Sequence, residues 1–499
     1  MSTIQNKTYH AIFIGGNLPL WGGRVIAGFR LRTSVQRYGY DLLVLDSASM
    51  MSTRELTDLL DKVVSNETLV IGFSTIWMNG QYDEGLEWCT NEFFSLLKTK
   101  YPNVKLVAGG PKNHWVKRSK TIYNNCDWVF TGFSDESFPK FLDYLTHKPN
   151  HGFKYFVDGG KKVISSNEQF PTQIPNEIAT VYQPEDNFLP HQPMPLEVSR
   201  GCIFKCAFCH HPFLGKNDPD KYIRTPENLA EELKRNYEMF STTRYTILDD
   251  TFNDSMEKLD RLHRAIDLAK LPKFEFVSYI KPELLVTKPE MVPKLIEIGL
   301  ASGYLGMESL KPEARKSIHK GMDAQRILDT VANIRSRSKI TFEASFIVGL
   351  PHESLDDVMQ THRFVASHTD TLFTSWHFQG LGLYYDSKLE GYSEMDKDPE
   401  KFGYRVIEKK PDHFATWESD YTNSEEAGRY ARVLTSQASR QCNIAGWMLA
   451  QAWHLGIAPE DIANLTGSQL KMDEKAFACT RTMSIETLSR FNIDPDQSS

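Results

Sequence analysis

A chain of 499 residues exceeds one ordinary hydrophobic core and implies two or three domains. With 40% hydrophobic and 24% charged residues it has the composition of a soluble globular protein. A net charge of −7 supplies no overall electrostatic footprint for nucleic acid or an anionic membrane.

The opening stretch, Met1 to Lys7, lacks an apolar core of the kind a secretory leader carries, and no apolar run is long enough to span a bilayer. Seven cysteines, three of them clustered, fit a reducing cytoplasm better than a disulfide framework. Cys89, Cys126, Cys442 and Cys479 are scattered and read as small buried hydrophobes.

Residues 1–147 are expected to form a first domain of alternating strands and helices. Short apolar strands are predicted at 11–14, 41–45, 69–74, 104–108 and 127–130, with helices over 23–38, 53–64, 82–99 and up to Leu145. Continuous apolar strands separated by helices imply a parallel, doubly wound, Rossmann-like sheet. Each strand ends in small or polar residues, where such sheets bind ligands. Between 148 and 195 the pattern breaks into a hairpin turned at Asp158-Gly159-Gly160 and a proline-rich connector. Residues 196–390 alternate again, with strands predicted at 196–199, 245–248, 274–277, 303–306, 342–347 and 372–376 and helices at 226–239, 289–299, 323–337 and 354–367. Six parallel strands are too few for a closed eight-stranded barrel. Residues 391–499 read as mainly helical, at 424–441 and 443–456, with a polar tail. Trp417, Tyr430, Trp447 and Trp453 read there as core aromatics, although 417–421 also suits a polar pocket wall.

The strand at 196–199 feeds the most informative segment, Cys202-Ile-Phe-Lys-Cys206-Ala-Phe-Cys209. Three thiolates this close on one loop can hold three irons of a [4Fe–4S] cube, leaving the fourth without a protein ligand. A zinc knuckle is the structural alternative and needs a fourth ligand. His210 or His211 would supply it, but directly adjacent ligands strain a tetrahedral site. Gly201 lets the chain enter a tight loop.

With Arg200-Gly201 before it and Phe208 before the last cysteine, this segment resembles the radical SAM superfamily. The resemblance implies an open, partial (β/α)₆ barrel whose cluster, bound by Cys202, Cys206 and Cys209, chelates S-adenosylmethionine and reduces its sulfonium. Phe208 would pack beside the adenine. Further SAM contacts are expected at strand ends: Asp249 and Asp250 for the ammonium, Glu308 and Ser309 for the ribose or methionyl end, and Gly349 for the adenine edge. Lys281 and Ser345 are candidates for the carboxylate. Each has a bland reading as well, the adjacent aspartates as a helix cap and Lys281 as a solvated charge. His210, His211, His352 and Trp376 lie near the same strand ends and are more often packing residues.

A doubly wound domain ahead of such a barrel resembles the cobalamin-binding radical SAM enzymes, including their class B methyltransferases. The resemblance implies corrinoid contacts from Gly16, Asn17, Ser74, Thr75, Trp77, Gly109, Gly110 and Gly132. The loop Asp46-Ser47-Ala48-Ser49-Met50-Met51 lacks the histidine that ligates cobalt in many cobalamin domains, which leaves the lower face to a bulky side chain such as Trp77. A relic domain that binds nothing is the alternative. The expected activity is therefore methylation of an unactivated carbon in a small-molecule or peptide substrate, with flavodoxin or ferredoxin as electron donor and no membrane or nucleic-acid partner. Non-methylating radical chemistry, RNA methylthiolation and a non-catalytic cofactor sensor are the rival readings.

Overall fold

The computed structural model describes residues 7–15, 23–75, 86–110, 116–117, 119–148, 152–166, 179–189, 191–209, 219–369, 371–384, 393–409, 414–441, 452–457 and 469–495. The chain divides into two units. The first gathers residues 1–172, 177–189 and 475–499, and the second holds 173–176 and 190–474.

The first unit is built on β1 (Ala11–Ile14), β2 (Leu42–Leu45), β3 (Val70–Ser74), β4 (Lys105–Gly110), β5 (Trp128–Thr131), β6 (Phe156–Asp158) and β7 (Lys161–Ser165). Their order is β2-β1-β3-β4-β5-β7-β6, parallel except for β6 against β7. The interleaved helices are α1 (Ile26–Gln36), α2 (Thr53–Val63), α3 (Asn91–Lys100), α4 (Lys120–Asn125) and α5 (Ser137–Leu145). Alternate residues of one strand feed opposite cores: Ile12 and Ile14 pack with Leu56 and Phe94, while Ala11 and Phe13 pack with Val35 and Phe141. Burial on both faces explains why these strands read as unbroken apolar runs. The order reverses at β1, which creates the crevice at the carboxyl ends of β1 and β3 that doubly wound sheets use for ligands.

Two boundaries differ from expectation. The hairpin expected in the linker instead extends the first sheet, since β7 pairs in parallel with β5 from Trp128↔Lys162 to Thr131↔Ser165. The carboxyl-terminal region also divides. Its last helix (Gln469–Arg490), where the sequence suggests a polar tail, supplies the end of the first unit. Arg481 pairs with Glu55 at 2.6 Å, Ser484 donates to the Ser47 carbonyl at 2.7 Å, and Leu488 and Ile493 enter the core. Amphipathic spacing is weak along that helix, so local pattern gives little sign of it.

The second unit holds a six-stranded, all-parallel sheet in sequential order: β8 (Met194–Leu196), β9 (Arg244–Ile247), β10 (Glu275–Ile280), β11 (Leu300–Glu308), β12 (Thr341–Val348) and β13 (Ser375–Gly380). Helices α6 (Pro226–Phe240), α7 (Met256–Ala269), α8 (Pro282–Thr287), α9 (Met291–Ile298), α10 (Pro312–Ser317), α11 (Ala324–Arg337) and α12 (Leu355–Ala366) alternate with the later strands. Thr225, Ser255, Asp323 and Ser354 cap α6, α7, α11 and α12 through their side-chain oxygens. The sheet has the predicted strand count and no β8–β13 pairing among the described residues, as an open (β/α)₆ barrel requires. The first strand lies earlier than predicted, so 197–199 already belong to the loop.

Beyond the barrel, the region expected to be mainly helical also carries a hairpin of β14 (Arg405–Glu408) and β15 (Thr416–Glu418). The helix α13 (Ser424–Gln441) lies where predicted and holds β13 through Thr435, whose hydroxyl bonds both backbone groups of Phe378. Most of the predicted helix at 443–456 lies outside the described residues. Trp453 is buried and donates to the Tyr245 carbonyl at 3.2 Å, as a core aromatic does. No described helix is long and apolar enough to cross a membrane.

Candidate functional site

The cysteine loop leaves β8 through a fixed root. The backbone N–H groups of Val198 and Ser199 donate to one Asp249 carboxylate oxygen at 2.9 and 3.0 Å, and the Ser199 hydroxyl donates to the other at 2.6 Å. Lys258, fully buried, sits 3.5 Å from the same carboxylate and 3.0 Å from Asp254. Burial pushes the Asp249 carboxyl up to about 6, which leaves it charged at neutral pH. Asp249, expected to meet the SAM ammonium, is thus committed to the loop root. Its neighbour Asp250 is partly exposed and acts electrostatically on Cys202.

Gly201 takes φ +92°, the left-handed entry that its lack of Cβ permits. Cys202 is buried with its sulfur 3.4 Å from the Thr251 hydroxyl, whereas Cys206 and Cys209 are partly exposed on a turn closed by Cys209 N–H donating to Cys206 O. Ile318 and His319 clasp the turn from the other side, accepting from Ala207 N–H at 3.3 Å and meeting the Lys205 carbonyl at 3.0 Å. Phe208 is partly exposed on that turn. Among the described residues no three His, Cys, Asp or Glu side chains close on a single-ion site. Three cysteines spread over one braced loop suit a multi-iron cube; His210 and His211, which the zinc reading needs, lie outside the described residues. The chemistry of the donor set, three thiols on one loop, fits an iron–sulfur cluster.

The other strand ends bring several expected residues to this loop and commit others elsewhere. Lys281 follows β10, its backbone fixed by Asn253 and its ammonium 4.5 Å from the Phe204 ring centre and 3.5 Å from Glu283. Glu308 ends β11 with φ +63° and pairs with the buried Lys320 at 2.9 Å. Ser309 is likewise taken: its hydroxyl bonds Glu353 and receives Lys311 N–H. Burial pushes the Glu353 carboxyl up to about 8, so it is mostly protonated at neutral pH. Gly349 has φ +96°, and a Cβ there would lie 2.6 Å from Trp417. Its carbonyl accepts from Tyr404 at 2.7 Å. The space that glycine leaves is therefore filled by Trp417, which packs against this strand end instead of lining an open polar pocket.

Ser345 belongs to a chain that sequence reasoning missed. Its hydroxyl lies 3.0 Å from His377 Nε2, whose Nδ1 lies 3.1 Å from Glu343, and Ser375 donates to the same carboxylate at 2.8 Å. Strand register would have found it, since Glu343 pairs with Ser375 and Ser345 with His377 on adjacent strands. Trp376 is buried core, whereas His352 is exposed with its ring 6.0 Å from that of Tyr421.

In the first unit, Ser74 and Gly109 are in register at adjoining strand ends, as are Gly110 and Thr131, with Gly132 next at φ +86°. This carboxyl edge is made of small residues, as close approach of a nucleotide tail demands. A Cβ on Gly109 would meet only Phe130 at 3.9 Å, which leaves room for a ligand to approach, whereas one on Gly110 would run into the Thr75 hydroxyl, so that space is taken by the chain itself. The Thr75 hydroxyl, expected to meet the benzimidazole, instead donates to the Gly109 carbonyl at 2.9 Å. Asp46 in the histidine-free loop is paired with Arg24 at 2.5 Å. Gly16, Asn17 and Trp77 lie outside the described residues.

Residues 196–365 match the Radical SAM superfamily model. An uncharacterised methyltransferase of Pyrococcus horikoshii is 28% identical over 54% of this chain and 59% of its own length. A hopanoid C-2 methylase of Rhodopseudomonas palustris is 27% identical over 31% of this chain and 29% of its own. The chain thus spans less than two thirds of the length of each of these curated relatives. Among solved structures, the radical S-adenosylmethionine methyltransferase TsrM from Kitasatospora setae, with cobalamin and a [4Fe–4S] cluster bound, superposes at TM-score 0.65. It shares 13% identity and covers 94% of this chain and 99% of that one. OxsB, a cobalamin-dependent S-adenosylmethionine radical enzyme, superposes at TM-score 0.54 with 14% identity, covering 73% of this chain and 53% of that one. These likenesses show a shared fold.

Proposed function

We propose that this chain, whose residues 196–365 are a radical SAM domain, cleaves S-adenosylmethionine reductively and methylates an unactivated carbon with the help of cobalamin. The observation that carries the reading is the braced loop of Cys202, Cys206 and Cys209 at the mouth of an open six-stranded parallel barrel. A cluster held by Cys202, Cys206 and Cys209 would supply an electron for the SAM sulfonium, and a corrinoid bound to the first unit would supply a carrier for the methyl group.

The chain's own residues position and shield. Asp249, Ser199 and Lys258 fix the loop root, while Ile318 and His319 fix its middle. Asp250 offers a carboxylate for the SAM ammonium, and Lys281, held beside Phe204, offers a cation for its carboxylate. In this reading the corrinoid would meet the small residues Ser74, Gly109 and Gly132 at the carboxyl edge of the first sheet. Methylthiolation would call on further cysteines in that unit, yet Cys89 and Cys126 are buried in its core and burial pushes the Cys126 thiol up.

The test is anaerobic purification with cobalamin supplied, followed by metal analysis and incubation with SAM and a chemical reductant. About four irons and one cobalt per chain, with 5′-deoxyadenosine formed, are expected. Iron without cobalt, even after reconstitution, removes the cobalamin half of the reading. Cobalt without 5′-deoxyadenosine removes the radical half.

A further inference from the structure

We infer that Lys320 and Glu308 form a buried charge pair that sets the reduction potential of the cluster held around Cys206. The inference rests on the cluster reading of the three cysteines. Lys320 follows directly on the segment that grips the loop: Ile318 receives Ala207 N–H and His319 meets the Lys205 carbonyl, one contact on each side of Cys206. His319 adopts φ +62°, a costly backbone state for a residue with a Cβ, and it turns the chain so that Lys320 enters the interior. There the Lys320 ammonium donates to the Gly306 carbonyl at 2.5 Å and to Glu308 at 2.9 Å, with only 6% of the residue exposed.

The pocket for this pair is built into β11. A Cβ on Gly306 would lie 2.5 Å from Glu308 Oε1 and 3.1 Å from the Lys320 ammonium, so glycine is the residue that leaves room for both. Arg315 braces the strand end, donating to the Met307 carbonyl at 2.6 Å and to Glu283 at 2.9 Å. Burial opposes a charged lysine, but Glu308 and Glu283 outweigh it and hold Lys320 protonated. A fixed cation in a low-dielectric site stabilises the more negative, reduced form of a neighbouring cluster, and a fixed anion does the reverse. The two members of the pair therefore pull the potential in opposite directions.

Potentiometric titration of the full-length, reconstituted, SAM-free protein, followed by the electron paramagnetic resonance signal of the reduced cluster, tests this. Lys320→Gln is expected to move the midpoint to more negative potential, Glu308→Gln to more positive potential, and the double variant to lie between them. Lys320→Met, with the same negative shift expected, serves if the glutamine variant fails to fold, and Lys320→Arg, which keeps the charge, is expected to stay near the unaltered protein. Shifts of the same sign in both single variants, or none in either, overturn the inference. So does an unchanged SAM-free potential in Lys320→Gln with weakened SAM binding, which would make Lys320 an anchor for the SAM carboxylate. Failure of the unaltered protein to take up iron would instead defeat the cluster reading itself.

Discussion

Replacing Glu353 by glutamine isolates the cost of one buried carboxyl. Glu353 is 2% exposed, its Oε1 bonds the Ser309 hydroxyl, and its Oε2 is buried with no hydrogen-bond partner. Burial raises its pKa from 4.5 to about 8. The unfolded chain therefore releases this proton near the ordinary glutamate value, and the folded chain holds it until about pH 8. Stability from this group is full below the lower value and is lost as pH rises through the upper one. At about 1.4 kcal/mol for each unit, the loss has a ceiling of about 5 kcal/mol, and relaxation around the site brings it to roughly 2–3 kcal/mol. A glutamine at this position keeps the shape and the Ser309 contact but cannot ionise. Glu353→Gln should thus match the unaltered apo protein at pH 5 and exceed it at pH 9. Thermal melts of both across that range measure the difference, at about 2 to 4 °C for each kcal/mol in a unit of this size. Other titrating groups cancel between the two proteins. A gap that stays constant from pH 5 to pH 9 refutes the assignment of Glu353 as a buried neutral acid.

Asp249→Asn should weaken the root of the cysteine loop by about 2–3 kcal/mol, because it removes a carboxylate that accepts three donors and faces buried Lys258. Iron uptake should fall with it; full uptake and an unchanged melt would show that Asp249 has no such role. Gly349→Ala places a methyl 2.6 Å from Trp417 at φ +96°, and a loss of about 2–4 kcal/mol in melting stability is expected. Arg481→Met removes the pair with Glu55 and the bond to the Met50 carbonyl. Hydrogen exchange in the helix Thr53–Val63 should then accelerate by about 5- to 30-fold, as a loss near 1–2 kcal/mol implies.

Much of this protein can be read from spacing alone. Three cysteines within eight residues dictate a loop chemistry wherever the loop sits, and apolar runs alternating with helical stretches dictate parallel sheets buried on both faces. Those signals are local, so they survive without coordinates, and Gly201 and the six barrel strands follow from them. Pairing across distance is not local. Nothing near Asp249 and Asp250 in sequence says which one turns inward; the donors on Val198 and Ser199, about fifty residues earlier, decide it. Gly349 reads as an open approach for a ligand until Trp417 fills its space. Ser309 and Ser345 read as ligand contacts, and only the fold shows that their hydroxyls also meet Glu353 and His377. The edge hairpin and the returning carboxyl-terminal helix join the first unit through strand pairing and the Arg481–Glu55 contact. Composition and period fix which chemistry a chain carries, because each residue brings its own donors, charge and volume. Burial and long-range hydrogen bonds fix which of those groups stay available, because a buried polar atom must be satisfied by whatever the fold brings beside it.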